Sequence, residues 1–533
     1  RPKEPSEGLD GDLPKPPQLR RRLSFFERLQ KSLDNPFFSP CWYCKLSQRL
    51  QMAVLGPLLV PVRFTCGFLA VFTASLIANT MVYGLPKDKF TNRTAAPIRG
   101  WRRMLMLPLR CCGRAFLFSM GYHWIETSGK QAPREAAPII VANHVCALEP
   151  FLIGYASGGM PVSRIENIKI PFFGAIAKAF QCIFVDRTDP DSRRAVSQEI
   201  QRRATEDGWN QIMLFPEGTC SNGRAVITFK AGAFYPRVPV QPVAVNYPFS
   251  PGAFHPGWVV AGPGPLECFF RMCCQIHNRM QVTWLPPVAP EPDEMPPAHP
   301  RQFASRVQGM IASSLRVPAT EHSYEDVQLM LEAVKLSGDP AGAFATNVAA
   351  VELQHLRRFI NIEFEDAKGY LAHFRQRNIS SSGSLNLEEF KELFGQGIST
   401  PVLQRLFDML DADGDGRLNF REYLIGAALF NAKDIDTINA AFKLAFHLYD
   451  LDESGTLNFE EAKAILTAVY PNGDLRTAFD QIDVNHDGVL NQEEFLRWAK
   501  TLDSYQDIRN RLFGMTSLEG EASQAGSHEA GAR

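Results

Sequence analysis

"QIMLFPEGT", residues Gln211 to Thr219, runs a short apolar segment straight into a turn that carries a carboxylate, a glycine and a hydroxyl. A run of this length, closed by Pro216 and Gly218, reads as a buried strand. Working outward, "APIIVANH" (Ala137–His144), "QCIFVDR" (Gln181–Arg187) and "VPVQPVAVNY" (Val238–Tyr247) have the same form. Between Arg187 and Gln211, "DSRRAVSQEIQRRATEDG" gathers Ala195, Val196, Ile200 and Ala204 on one face of a polar helix. Strands alternating with helices predict an α/β layer fold for this part of the chain.

Those strands end in reactive side chains. His144 closes its strand, and Glu149 follows just before Pro150. Proline suits the first turn of a helix and disfavours helical geometry in the residue before it, so both groups fall on a strand-to-helix turn. Open α/β sheets bind their ligands at such edges. A carboxylate beside an imidazole orients the ring and raises its basicity toward a hydroxyl proton. Spacing alone decides nothing, because His447 and Asp452 share it. The turn Pro216-Glu217-Gly218-Thr219 can hold a polar head group, and Arg187 adds a positive fork suited to phosphate.

The 533 residues exceed one ordinary domain, and a net charge of −1 gives no whole-protein field that would favour nucleic acid. Residues 1–50 form an arm rich in proline and basic residues, expected to be disordered. Residues 51–125 are expected to anchor the protein in a membrane. Phe64 to Pro86 carries no charge for 23 residues, enough to cross a hydrocarbon layer of about 30 Å. Pro57, Pro61 and Arg63 interrupt the apolar stretch before it, and basic residues flank both sides. A single crossing and a re-entrant hairpin therefore both fit. Trp101–Trp124 mixes arginines with Leu, Met, Phe and Trp, as an interfacial segment would.

The C-terminal third repeats a twelve-residue loop. "DADGDGRLNFRE" (Asp411–Glu422), "DLDESGTLNFEE" (Asp450–Glu461) and "DVNHDGVLNQEE" (Asp483–Glu494) each place glycine at position 6 and glutamate at position 12, the EF-hand pattern for Ca²⁺. Expected ligands are Asp411, Asp413, Asp415, Arg417 and Glu422 in the first; Asp450, Asp452, Ser454, Thr456 and Glu461 in the second; Asp483, Asn485, Asp487, Val489 and Glu494 in the third. Arg417, Thr456 and Val489 stand at position 7, which ligates through its carbonyl. A fourth loop, Asn378–Glu389, keeps the glycine and glutamate but has serine at positions 3 and 5, and is expected to be structural. Loop starts 33, 39 and 33 residues apart predict two EF-hand pairs.

His144-x4-Glu149, the Arg187 strand, "FPEGT" (Phe215–Thr219) and "VPVQPVAV" (Val238–Val245) together resemble, block by block, the four motifs of the acyl-CoA-dependent glycerolipid acyltransferases. The resemblance spans Ala137 to Pro287. It is nearest to the EF-hand-bearing enzymes acting on lysophosphatidylcholine and lysophosphatidylethanolamine. It implies His144 as general base on the lysolipid hydroxyl and Glu149 as the group that holds its tautomer. Phe215, Pro216, Glu217, Gly218 and Thr219, with Arg187, would position the phosphate-bearing acceptor. Glu149 departs from the family's usual aspartate; plant lysophosphatidylethanolamine enzymes resemble this chain there, which shifts the expected substrate toward ethanolamine.

The whole chain thus reads as an arm (1–50), a membrane anchor (51–125), an α/β acyltransferase domain (126–320), a helical linker (321–365), an all-α EF-hand domain (366–513) and a tail (514–533). The expected activity is acyl transfer from acyl-CoA to a lysophospholipid, with Ca²⁺ control and both domains on the cytosolic face of the endoplasmic reticulum, the Golgi or another endomembrane. Expected partners are membrane lipids and the two substrates, with no nucleic acid. Two alternatives stand beside this: a calcium-sensing membrane scaffold that has lost activity, and an acyltransferase for lysophosphatidate or glycerol 3-phosphate.

Overall fold

The computed structural model describes residues 35–38, 44–86, 95–186, 190–248, 253–260, 262–292, 300–338, 348, 351–357, 362–377, 383–392, 400–411, 414–430, 446, 449–450, 454–470, 473–499 and 501. The N-terminal arm before Asn35, the tail after Thr501, and Arg187, Asn378, Asp413 and Asp452 lie outside the described residues. Contacts divide the chain between Gln354 and His355.

The first unit, Asp34–Gln354, is built on a seven-stranded sheet. Its strands are β1 (Glu126–Gly129), β2 (Ile139–Ala142), β3 (Met160–Arg164), β4 (Ile183–Val185), β5 (Ile212–Leu214), β6 (Val240–Asn246) and β7 (Gln281–Trp284). The spatial order is β1-β7-β6-β2-β5-β3-β4, and only the β6–β7 pairing is antiparallel. The expected strands are β2, β4, β5 and β6. β2 is buried throughout because alternate side chains enter two different cores. Ile139 and Val141 join Val196, Ile200, Phe303 and Ile311 on one side. Ile140 and Ala142 join Leu117, Leu152 and Met272 on the other.

The helices that cover these faces follow the chain. Before the sheet come α1 (Leu46–Val82) and α2 (Met106–Ser119); between strands lie α3 (Glu149–Ser157), α4 (Phe173–Ala179), α5 (Pro190–Thr205) and α6 (Pro265–Cys273). Two more, α7 (Pro300–Leu315) and α8 (Tyr324–Ser337), follow β7. The expected polar helix is α5, with Val196, Ile200 and Ala204 buried as its periodicity requires. Residues expected to be a linker pack on this unit: Val327 and Met330 of α8 meet Phe37 and Ile227.

α1 differs from the sequence reading in one respect. It runs unbroken for 37 residues through Pro57 and Pro61. Each proline removes one i to i−4 bond, but the helix is braced from outside. Its buried positions, including Gly56, Arg63, Gly67, Ala74, Ala78 and Met81, recur at helical spacing along one face. Small residues there let backbones approach closely: a Cβ on Gly67 would stand 3.0 Å from Ser119 Oγ. The opposite face exposes Leu50, Val54, Leu58, Phe68 and Leu76.

In the second unit, short antiparallel strands pair the loops. β8 (Ser384–Leu385) lies against β9 (Leu418–Asn419), and β10 (Thr456–Leu457) against β11 (Leu490–Asn491). These are the two EF-hand pairs, flanked by helices such as α9 (Phe364–Arg377), α10 (Thr400–Leu410), α11 (Phe420–Phe430), α12 (Phe459–Val469), α13 (Leu475–Ile482) and α14 (Gln492–Ala499).

Candidate active site and metal loops

β6, β2 and β5 are neighbours and parallel, so their C-terminal ends open on one edge of the sheet. Tyr247, His144 and Phe215 stand just beyond them. The strand-to-helix turn after β2 then brings Glu149, the first residue of α3, back toward His144. Glu149 Oε2 lies 3.1 Å from His144 Nδ1. The carboxylate is fully buried, whereas the imidazole keeps 19% of its surface. Its ring stacks on Phe215 with centroids 4.6 Å apart.

A buried carboxylate needs compensating donors. The backbone N–H of Cys146 donates to both Glu149 oxygens at 2.9 and 3.1 Å, and that of Val145 to Oε1 at 3.3 Å. Tyr247 Oη donates to Oε1 at 2.8 Å, and the Cys146 thiol donates to Tyr247 Oη at 3.2 Å. Burial pushes the Tyr247 phenol and the Cys146 thiol well up, so both remain protonated donors. Sequence reading missed both. Tyr247 was visible only as the residue that ends a strand beside the His144 strand.

The "FPEGT" turn clamps His144 from its other side. Glu217 Oε1 accepts the His144 backbone N–H at 3.0 Å, and Ser221 N–H donates to the His144 carbonyl at 2.9 Å. Gly218 N–H closes the turn on Phe215 O, with Gly218 at φ +69°, and a Cβ there would meet Lys230 Nζ at 2.9 Å. Pro216 is buried and its carbonyl accepts Lys230 N–H; Thr219 is half-buried. Glu217 is 1% exposed, and its Oε2 meets no partner among the described residues. Burial raises its carboxyl to about 8, so it carries a proton at neutral pH. Cys220, between the two clamping residues, lies near enough to His144 to act on its charge. Burial disfavours charge on that ring, but Cys220 and Glu149 outweigh it and hold the imidazole well above its ordinary value.

The EF-hand loops share one internal geometry. The glycine at position 6 donates its N–H to the first aspartate in each: Gly416 to Asp411 (2.8 Å), Gly455 to Asp450 (3.0 Å) and Gly488 to Asp483 (2.9 Å). These glycines have φ between +75° and +83°, which L side chains resist. Glu422, Glu461 and Glu494 each accept an N–H from the residue at position 9. Among the described residues no three His, Cys, Asp or Glu side chains stand together as a ready metal centre.

Fold and site together define an acyltransferase that carries an EF-hand domain. Residues 125–246 match the acyltransferase family, and 403–424 and 475–497 match the EF hand. Mouse lysophosphatidylcholine acyltransferase 2 is 34% identical over 513 residues, covering 95% of this chain and 89% of the relative. Lysophospholipid acyltransferase LPEAT2 of Arabidopsis thaliana is 31% identical over 432 residues, covering 80% of this chain and 77% of the relative. Among solved structures, the 1-acyl-sn-glycerophosphate acyltransferase PlsC of Thermotoga maritima aligns over 50% of this chain and 96% of its own, with 15% identity and a TM-score of 0.35. The chain belongs to the lysophospholipid acyltransferase family that the first two relatives represent.

Proposed function

We propose that this protein transfers an acyl chain from acyl-CoA to the free hydroxyl of lysophosphatidylcholine or lysophosphatidylethanolamine at a membrane surface. The observation that carries the chemistry is the His144–Glu149 contact at the open edge of the sheet. With Nδ1 committed to Glu149, Nε2 is the nitrogen left to take the hydroxyl proton. The alkoxide oxygen attacks the thioester carbonyl and forms the ester bond; the C–S bond breaks, and coenzyme A leaves as a thiol with the proton from His144. Glu149 stabilises the imidazolium through the transfer, and Tyr247 and the Cys146 N–H keep the carboxylate in place. Glu217 serves this site by holding the His144 backbone. Arg187, Phe215, Gly218 and Thr219 are assigned to the acceptor.

We assign Ca²⁺ to the loops at Asp411, Asp450 and Asp483, whose oxygen donors suit a hard cation. The metal would be held by Asp411, Asp413, Asp415, Arg417 and Glu422, and by the matching positions of the other two loops. Ca²⁺ would supply positive charge to the loop carboxylates, the kind of change that moves the flanking helices in calcium sensors.

α1 is the membrane anchor. It is the one helix among the described residues long and apolar enough to cross a bilayer. Yet it touches its own catalytic unit from Gln48, bonded to Ala253 O, to buried Met81. At 1.5 Å per residue that contact runs about 50 Å, beyond a hydrocarbon layer of about 30 Å. This favours a helix held along one face of the membrane over a simple crossing. Cytosolic exposure, on the endoplasmic reticulum or a related endomembrane, follows from where acyl-CoA is available.

The test is an acyl-transfer assay on isolated membranes with lysolipids differing in head group, run with Ca²⁺ and with chelator. Transfer to lysophosphatidylcholine or lysophosphatidylethanolamine supports the assignment. Transfer to lysophosphatidate alone, or to none, overturns it.

A further inference from the structure

α6 and the turn after it carry a surface that the catalytic reading does not use. Leu266, Phe270 and Cys274 recur every fourth residue and so form one stripe. Leu266 is 86% exposed and Phe270 43%, while Cys274, which ends the stripe, is buried, as are Arg271, Met272 and Cys273. Ile276, just past the helix, is 67% exposed.

This stripe is joined to the anchor. Gly56 of α1 faces it so closely that a Cβ there would lie 3.4 Å from Cys274 Sγ and 3.8 Å from Phe270 Cζ. Gln51 Nε2 donates to Cys274 O at 3.1 Å. The Arg63 guanidinium donates to the carbonyls of Met272, Cys273, Gln275 and Ile276. The same turns of α1 expose Val54, Leu58 and Val62. A polar border follows: His277 stacks on His123, Arg114 donates to the Tyr122 and His123 carbonyls, and Trp124 is exposed beside them. Tryptophan and basic groups at the edge of an apolar patch suit the head-group level of a bilayer.

We propose that Leu266, Phe270 and Ile276 form a second lipid-contacting surface, entering the acyl-chain region of the leaflet that receives α1. Two contacts on different elements fix the tilt of the unit, and with it the height at which the catalytic edge meets its amphiphilic substrates. The proposal rests on α1 being a membrane anchor.

The experiment uses the full chain in phosphatidylcholine vesicles doped with a phosphatidylcholine that carries a photoactivatable diazirine midway along one acyl chain. Mass spectrometry should find adducts on peptides of α1 and on those spanning Gly264–Arg279. Adducts on α1 alone would overturn the second surface and leave the anchor standing; adducts on neither would overturn both. The Leu266→Ser, Ile276→Ser double variant should lose about fivefold in transfer to lysolipid presented in vesicles and keep its rate in detergent micelles. If it instead changes the mass of the detergent-solubilised protein at unchanged vesicle activity, the stripe joins two copies of the chain and the lipid assignment fails.

Discussion

Tyr247 donates its hydroxyl to Oε1 of Glu149, while His144 takes Oε2, so one buried carboxylate links the phenol just after β6 to the imidazole after β2. Removing the phenol takes a charge-directed hydrogen bond, about 1.5–3 kcal/mol, from the group that orients the base. Tyr247→Phe should lower kcat about tenfold or more with little change in acyl-CoA KM, and the protein should melt as a folded unit. An unchanged kcat would show that the backbone donors of Val145 and Cys146 suffice.

His144→Ala should abolish transfer, because no other residue of the turn can take the hydroxyl proton. Glu149→Gln should lose most of the rate. It also removes one influence that raises His144, so the acid limb of the remaining activity should move to lower pH. A pH–rate profile that keeps its limb would separate Glu149 from the base. Glu149→Asp should keep activity, as the resemblance to enzymes with aspartate at this position implies.

Glu217 makes a stability prediction. Its folded value of about 8 lies above the ordinary 4.5, so the folded state retains a proton that the unfolded chain releases. The folded state then holds more protons, and stability falls as pH rises from about 4.5 to 8. Glu217→Gln keeps an acceptor for the His144 N–H without a titrating group. Melting curves across this range should show a flatter pH dependence than the parent protein, whereas Glu217→Ala should destabilise at every pH.

The loop beginning at Asn378 should bind no Ca²⁺ yet still matter. Leu385 pairs with Leu418 across β8 and β9, and Arg417 Nε donates to Ser384 Oγ at 2.7 Å. Leu385→Ala empties a fully buried position, a change that costs about 2–5 kcal/mol in a core. Equilibrium dialysis should count about three Ca²⁺ per chain, one fewer after Glu422→Gln, Glu461→Gln or Glu494→Gln. Leu385→Ala should weaken the site at Asp411 without removing any of its ligands.

How far the sequence foretold this arrangement varied by element, for physical reasons. β2, β5 and β6 were legible because strands buried on both faces are written as apolar runs. β3 escaped notice because Pro161, Ser163 and Arg164 break its pattern, and β1 because all four of its residues are exposed. The His144–Glu149 pair could be placed because Pro150 marks the start of α3. Tyr247 could not, since it meets Glu149 across 98 residues and only strand order brings them together. In α1 the prolines suggested a break, while the glycines and alanines at helical spacing, which mark its docked face, carried the better signal.

Arg63 finally limits how this protein can be taken apart. It stands in the middle of the apolar helix, 7% exposed, and satisfies carbonyls at the end of α6 that no residue of α6 could reach. A soluble enzyme made by cutting before the sheet would take this donor from the Cys273 and Ile276 carbonyls, whereas Met272 O would keep the Gln275 N–H and the Asn278 side chain. A chimera with a foreign hydrophobic helix would do the same unless it kept an arginine in this register. The long apolar helix and the sheet unit are therefore joined by buried polar contacts as well as by apolar packing.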